Sequence, residues 1–313
     1  MDLDTGMQRQ YRYIRALWAK KPHDASMRSL SLFDHLCDTA AMAKKLWHFR
    51  VSKGNKNYIA DACCTDIDGA GRLFVFLAAV HDIGKATPAF QSKTCIPAND
   101  LDDMIREQTV NMGMEIKDGD EYPFRCKTPH TLAGERLLRT MGCLYNIASI
   151  IGAHHGKPTE DNVVNEQVSY PSNYGTSQHW RNAQAEVLAL ALELSGFDDL
   201  HSVPIPSQPA QVLLTALVIM ADWMSSNEKA FPYFEAGCTL SIDEQRRRAD
   251  LAWEHFSLQA PAPRDDSWIY SDLYMDRFCF DANPMQLKVA ESLCAQTVPS
   301  LMIIEAPMGQ GKT

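Results

Sequence analysis

Apolar residues along this chain return at three- and four-residue steps, the spacing that paints one face of an α-helix, and seldom alternate as a strand requires. Leu32, Leu36, Ala40, Ala43, Leu46 and Trp47 follow that rule and predict a helix over about residues 30–50. Residues 72–82, RLFVFLAAVHD, are apolar on nearly every face, which predicts a buried helix stopped by Gly84 and Pro88. The same spacing predicts helices over 131–141, 147–154, 182–194, 212–224 and 243–256, with a short amphipathic stretch at 11–20. Two polar connections, roughly 91–128 and 156–180, are rich in Pro, Asn and Gly and long enough to act as lids or partner surfaces. The expected fold class is all-α.

The character changes near the end. After APAPRDD come a helix candidate at 284–296 and an apolar strand candidate at 301–305, which runs straight into APMGQGKT at 306–313. That string fits A-x-x-x-x-G-K-T. In such a loop, here containing Gly309 and Gly311, backbone N–H groups cradle phosphates, Lys312 reaches the terminal ones and Thr313 holds magnesium. Two parts are therefore expected: a helical domain over 1–270, and a linker plus the start of an α/β domain over 271–313.

Composition narrows the class. With 45% hydrophobic and 22% charged residues and no low-complexity tract, the chain reads as a folded globular protein. Its longest apolar runs, 73–80 and 212–221, are too short to span a bilayer, and MDLDTGMQRQ lacks a signal peptide's pattern. Nine scattered cysteines with no CxxC pair fit a reduced, cytoplasmic chain. A net charge of −9 argues against a generally basic nucleic-acid binder, so a polyanionic substrate needs local cations. Arg246, Arg247 and Arg248 are expected on the solvent side of an amphipathic helix.

The chemistry lies in a series of histidines and aspartates beside apolar helices. His81-Asp82 closes the 72–82 helix, where adjacent residues can turn toward one cavity only near a helix end. His154-His155 closes SIIGAHHG, and two vicinal histidines there would be costly as inert core residues, because each buried ring nitrogen needs a partner. His35 sits mid-helix in SLFDHLCDTA, with Asp38 a possible partner behind it; His130 begins HTLAGERLL; Asp222 is the charged group in LLTALVIMADWMSS. Taken singly, His35 or His130 reads as an ordinary hydrogen-bonded histidine, and Asp222 as a carboxylate satisfied by a hydroxyl or an indole. Taken together, H, HD, H, HH and D read as a metal site, since imidazole favours transition metals and a carboxylate can bridge two ions.

The strings SLFDHLCDTA, AAVHDIGKATPAFQ, PHTLAGE, IIGAHHG and ADWMSSNE, running through 31–228, resemble the HD superfamily. More closely they resemble the HD nuclease domain of the CRISPR-associated nuclease–helicases of type I interference, and YRYIRALWAK resembles subtype I-E members. This resemblance implies an HD-type helical fold and two divalent transition-metal ions (Fe, Ni, Co, Mn or Zn). It implies one ion at His35, His81, Asp82 and Asp222, and a second, bridged by Asp82, at His130, His154 and His155. Lys85 would stabilise phosphate charge in catalysis beside Asp82; its bland reading is a surface lysine at a helix C-terminus. The implied partners are single-stranded DNA, an RNA-guided CRISPR surveillance complex and the helicase domain of the same longer chain. Phe278 and Phe280 followed by NPMQ, with Gln286, resemble the adenine-reading Q motif of superfamily 2 helicases. The tail then reads as the start of a RecA-like domain, with ATP and Mg belonging to the full-length helicase and no ATPase or helicase activity expected from this chain. An HD phosphohydrolase acting on nucleotides or cyclic nucleotides, and a docking module with a silent site, are the competing readings.

Overall fold

The computed structural model describes residues 11–22, 24, 26–95, 98–235, 237–238, 240–256, 270–296 and 301–307. It divides into two compact units, Met1–Gln259 and Ala260–Thr313. The first unit opens with α1 (Arg12–Ala16), β1 (Trp18–Lys20) and β2 (Arg28–Ser31), followed by the helices α2 (Leu32–Phe49), α3 (Lys53–Ala62), α4 (Ile67–Val80), α5 (Asp100–Asn111), α6 (His130–Thr140), α7 (Tyr145–Ala153), α8 (Gln178–Ser195) and α9 (Gln208–Ser225). Then come β3 (Phe234–Glu235) and α10 (Ile242–His255). The three strands form a small antiparallel sheet in the order β1-β2-β3, with Lys20 opposite Leu30 and Ser29 opposite Phe234.

α4 is the axis of the core. Leu73, Phe74, Phe76, Leu77, Ala78, Ala79 and Val80 are all fully buried, because α4 is covered by α2, α8 and α9. Residues 73–80, covered on every side, are accordingly apolar on every side, while Asp68 and Arg72 lie in the less covered first half of the helix. Burial on this scale sets the cost of a cavity: Leu77→Ala in such surroundings removes about 2–5 kcal/mol. α2 starts where Ser31 accepts a hydrogen bond from the Asp34 N–H, and it buries Leu32, Leu36, Ala40, Ala43 and Leu46 on the predicted stripe.

Several expectations need correction. Residues 11–20 form not one amphipathic helix but α1 followed by a strand, whose ladder partners lie ten to thirteen residues on in β2 and are invisible to local periodicity. The 91–128 connection holds the three-turn helix α5, begun by a reciprocal Asn99–Asp102 capping box and seated by Leu101 and Ile105. α3 was not foreseen, and α4 begins at Ile67 with Asp66 as cap. α9 is less enclosed than its composition suggests, with Val212 at 70% and Trp223 at 73% exposure. Arg246 and Arg247 do face solvent, but Arg248 is buried, its Nε donating to Asp38 at 3.0 Å and its Nη1 to the Pro232 carbonyl.

In the second unit the described residues form α11 (Tyr270–Phe278) and α12 (Pro284–Cys294). Residues 301–307 are irregular rather than the expected strand. A strand needs a neighbour for its backbone groups, and Leu301 and Ile303 stand 89% and 77% exposed. Gly309, Gly311, Lys312 and Thr313 lie outside the described residues.

Candidate metal centre

α4 ends at Val80, and His81 keeps helical dihedrals as its cap. Asp82 (φ −99°, ψ 20°) then leaves the helix into a 3₁₀ turn, Ile83–Lys85. The change of helix type lets neighbouring side chains face the same cavity. Glycine is obligatory in this turn: a Cβ on Gly84 would lie 1.9 Å from the His130 carbonyl oxygen and 2.6 Å from the Gly134 amide nitrogen. The turn thus packs backbone to backbone on α6, and that contact brings His130 to Asp82. α7 meets α6 through a side chain instead, since a Cβ on Gly152 would lie 1.9 Å from Glu135 Oε2. His154 and His155 follow at the end of α7.

All seven residues come together, in two overlapping groups. Ligand atoms of His35, His81, Asp82 and Asp222 lie within 4.8 Å of one another, as do those of His130, His154 and His155. His35 Nε2 is 3.0 Å from Asp82 Oδ2 and 3.4 Å from Asp222 Oδ1; His81 Nε2 is 3.2 Å and 3.4 Å from the same two oxygens. The other Asp82 oxygen, Oδ1, faces His130 Nε2 at 3.4 Å and His154 Nε2 at 3.8 Å. Asp82 therefore sits between the groups, one oxygen toward each.

Two rings have fixed tautomers. His81 Nδ1 donates to the Ala78 carbonyl at 2.8 Å and His154 Nδ1 to the Ile151 carbonyl at 2.6 Å. Each turns its Nε2 into the cavity, the edge of the ring that a metal-ligating histidine presents. Burial pushes His130 down to about 2 and His154 down to about 3, so both rings stay neutral and free to bind a cation. Burial also opposes charge on His81, but Asp82 and Asp222 outweigh it and raise the ring to about 9. Against burial, Lys85 and His81 hold the Asp82 carboxyl well below the ordinary carboxylate range.

His35 Nε2, His81 Nε2, both Asp82 oxygens, His130 Nε2 and His154 Nε2 are buried without a hydrogen bond of normal geometry. One bare buried polar atom costs about 1–3 kcal/mol. Five such atoms in one cavity, with Asp82 Oδ2 answered by the Lys85 ammonium at 2.6 Å, would cancel much of a domain's ~5–15 kcal/mol of stability. Divalent cations would resolve this, and the nitrogen–carboxylate donor set fits transition metals.

The surroundings correct two expectations and add residues that the sequence did not single out. Asp38 does not support His35; it pairs with Arg248. Lys85 is not a surface lysine: 4% exposed, it sets its ammonium 2.6 Å from Asp82 Oδ2 and donates to the Ala19 carbonyl. Gln91 clamps β1 to this turn, with Nε2 donating to the Trp18 and Lys85 carbonyls and Oε1 accepting the Trp18 N–H. Thr39 donates to the His35 carbonyl and shares a 2.7 Å hydroxyl contact with Ser225, tying α2 to α9 beside two of the ligands. Ser226 donates to Asp222 Oδ1 at 2.9 Å. The signal for Gln91 and Ser225-Ser226 lay inside the motif strings AFQ and ADWMSS, but neither spacing nor polarity marked a role. In the second unit Gln286 closes a capping box with Asn283 at the start of α12.

Residues 18–231 match the family model of the Cas3 HD domain. A CRISPR-associated nuclease/helicase Cas3 from Streptococcus thermophilus is 37% identical over 313 residues, covering 95% of this chain and 33% of that protein. The chain spans about a third of the length of the curated relatives it matches. Among solved structures, the Thermus thermophilus Cas3 HD domain in the presence of Ni2+ aligns with a TM-score of 0.54 at 23% identity, over 80% of this chain and 93% of that one. A CRISPR RNA-guided surveillance complex in a pre-nicking state contains a chain that aligns with a TM-score of 0.51 at 25% identity, over 76% of this chain and 28% of that one. The structural likenesses support the helical fold, the family model covers most of the first unit, and on these grounds the chain belongs to the Cas3 HD-domain family.

Proposed function

We propose that this chain is a metal-dependent nuclease that cuts single-stranded DNA, and that it forms the N-terminal part of a nuclease–helicase in type I CRISPR interference. The observation that carries the reading is the convergence of seven donor side chains around buried, unpartnered atoms. When bound, two divalent transition-metal ions supply Lewis acidity, giving a nucleophile at neutral pH and neutralising charge at the scissile phosphate. His35, His81, Asp82 and Asp222 would hold one; His130, His154 and His155, with the second Asp82 oxygen, would hold the other. Nickel accompanies the Thermus thermophilus HD domain, and a histidine-rich shell favours Ni, Fe, Co, Mn or Zn over magnesium.

Lys85 acts in this scheme by fixing Asp82, because its ammonium is already committed to that carboxylate and to the Ala19 carbonyl. Chemistry at phosphate needs no reading of bases, so cleavage is expected to be indifferent to sequence. The surveillance complex and the helicase part of a longer chain are the proposed partners, with 306–313 and Gln286 serving ATP and magnesium there. The proposed division is 1–270 for the nuclease domain and 271–313 for the helicase start.

The test is degradation of single-stranded DNA by the purified chain with manganese, cobalt or nickel, beside a panel of nucleotides and cyclic nucleotides. Cleavage of the DNA, abolished by Asp82→Ala, is expected. Turnover of the small phosphates with the DNA left intact would replace this reading with a nucleotide phosphohydrolase.

A further inference from the structure

The centre carries two ammonium groups of opposite character. Among the described residues, Lys20 and Lys85 are the lysines with Nζ within 4.0 Å of Asp82 or Asp222. Lys85 is enclosed and fully engaged. Lys20 stands 3.9 Å from Asp222 Oδ1 with its side chain 25% exposed, too far for a hydrogen bond and open to solvent. Nothing about Lys20 is left to chance, however, because the strand that carries it is built against the site. Ala19, its neighbour in β1, accepts the hydrogen bond from Lys85, and Trp18 is held at three points by Gln91. Lys21, the next residue, turns away to an ion pair with Asp102 at 2.6 Å. The fold therefore spends a strand and a clamp to bring one partly exposed cation to the edge of the carboxylate group.

We infer that Lys20 is a substrate-binding residue of the centre, whose ammonium takes a phosphate oxygen of the DNA strand next to the cleaved bond. This rests on the nuclease reading above. Asp222 is a candidate ligand, so a cation bound to it satisfies its charge and leaves Lys20 free for an incoming anion. The acidic chain, at −9 overall, offers a polyanion little general attraction, so a single placed cation at the entrance carries unusual weight. A lysine there acts as a point charge that any phosphate satisfies, matching a substrate bound without base recognition.

The test compares the metal-loaded chain with Lys20→Met and Lys20→Arg, measuring bound metal, kcat and KM on single-stranded DNA across a salt series, and calorimetric binding of thymidine 5′-monophosphate. Lys20→Met should keep its metal, raise KM about tenfold with kcat within a few-fold, and flatten the salt dependence of kcat/KM by about 0.7 in log–log slope, one single-strand phosphate contact. It should also weaken thymidine monophosphate by about as much as KM rises, and Lys20→Arg should restore most of both losses. Unchanged KM, salt slope and nucleotide affinity in Lys20→Met would overturn the assignment, as would loss of metal, which would make Lys20 a support of Asp222. Failure of the unsubstituted chain to cut DNA with any of these metals would instead defeat the nuclease reading itself.

Discussion

The two halves of the centre are built from different material. His35, His81, Asp82 and Asp222 are all buried and include two carboxylates, whereas His130, His154 and His155 are all imidazole and range from partly exposed through buried to exposed. The first half is braced from behind by the Thr39–Ser225 hydroxyl pair and by Ser226 on Asp222. The second depends on how closely α6 is approached by the Ile83–Lys85 turn at Gly84 and by α7 at Gly152. An ion in the first half would be held beside two buried carboxylates, where electrostatic attraction is strongest. One in the second half would have imidazole ligands plus the other Asp82 oxygen, and would meet solvent at His155. The comparison teaches that the halves should differ in function: a retained ion that anchors, and an exchangeable one beside solvent-facing His155.

The sharpest way to break the comparison is His155→Ala against Asp222→Ala. We expect His155→Ala to shed only the weaker ion and to recover cleavage when excess manganese or cobalt is added. Asp222→Ala should lose the tighter ion and stay inactive, as read by metal titration and nuclease assay. Equal losses from both substitutions would erase the distinction. Next in size, Gly84→Ala forces a methyl group into the α6 backbone and should destabilise by about 1–3 kcal/mol, with ions lost from the His130 half before the His35 half. Calorimetry with metal analysis checks this, and a stable variant with a full metal complement would contradict it. Thr39→Val removes the hydroxyl between α2 and α9; about 1 kcal/mol of stability and a 10–100-fold loss of affinity confined to the tighter ion are expected.

The smallest effect is a pH dependence in the N-terminal segment that leads into β1. Glu186 accepts the Tyr13 and Ile14 N–H groups, and burial raises its carboxyl to about 7. A carboxyl raised in the fold binds more protons folded than unfolded, so its stabilisation is complete below about pH 4.5 and lost as pH rises through about 7. Both bonds end on Oε2, so Glu186→Gln keeps the one oxygen that accepts them and cannot ionise. It should match the parent near pH 4.5 and exceed it at pH 8 by about 1 kcal/mol, after discounting for the group's partial exposure. A gap that does not change with pH in thermal melts would rule this out.

Much of the first unit was readable because its signals are local. The α4 run and the α2 stripe are each visible within one helix length, and each member of the series H, HD, H, HH, D sits on or beside its own apolar helix; the fold brings their donor atoms together. What escaped depends on partners distant in sequence. β1 is a strand because of β2, Arg248 is buried because of Asp38, and Lys85 is enclosed because the Ala19 carbonyl lies 66 residues upstream. α5 was missed for another reason: its polar face hid a capping box and two buried apolar residues inside what looked like a loop.

Elemental analysis of the metal-loaded chain tests the central claim most directly. Two transition-metal ions per chain are predicted, falling below one in Asp82→Ala, since that residue offers an oxygen to each half. A chain that binds no divalent transition metal, or an Asp82→Ala variant with its metal content intact, would contradict the account.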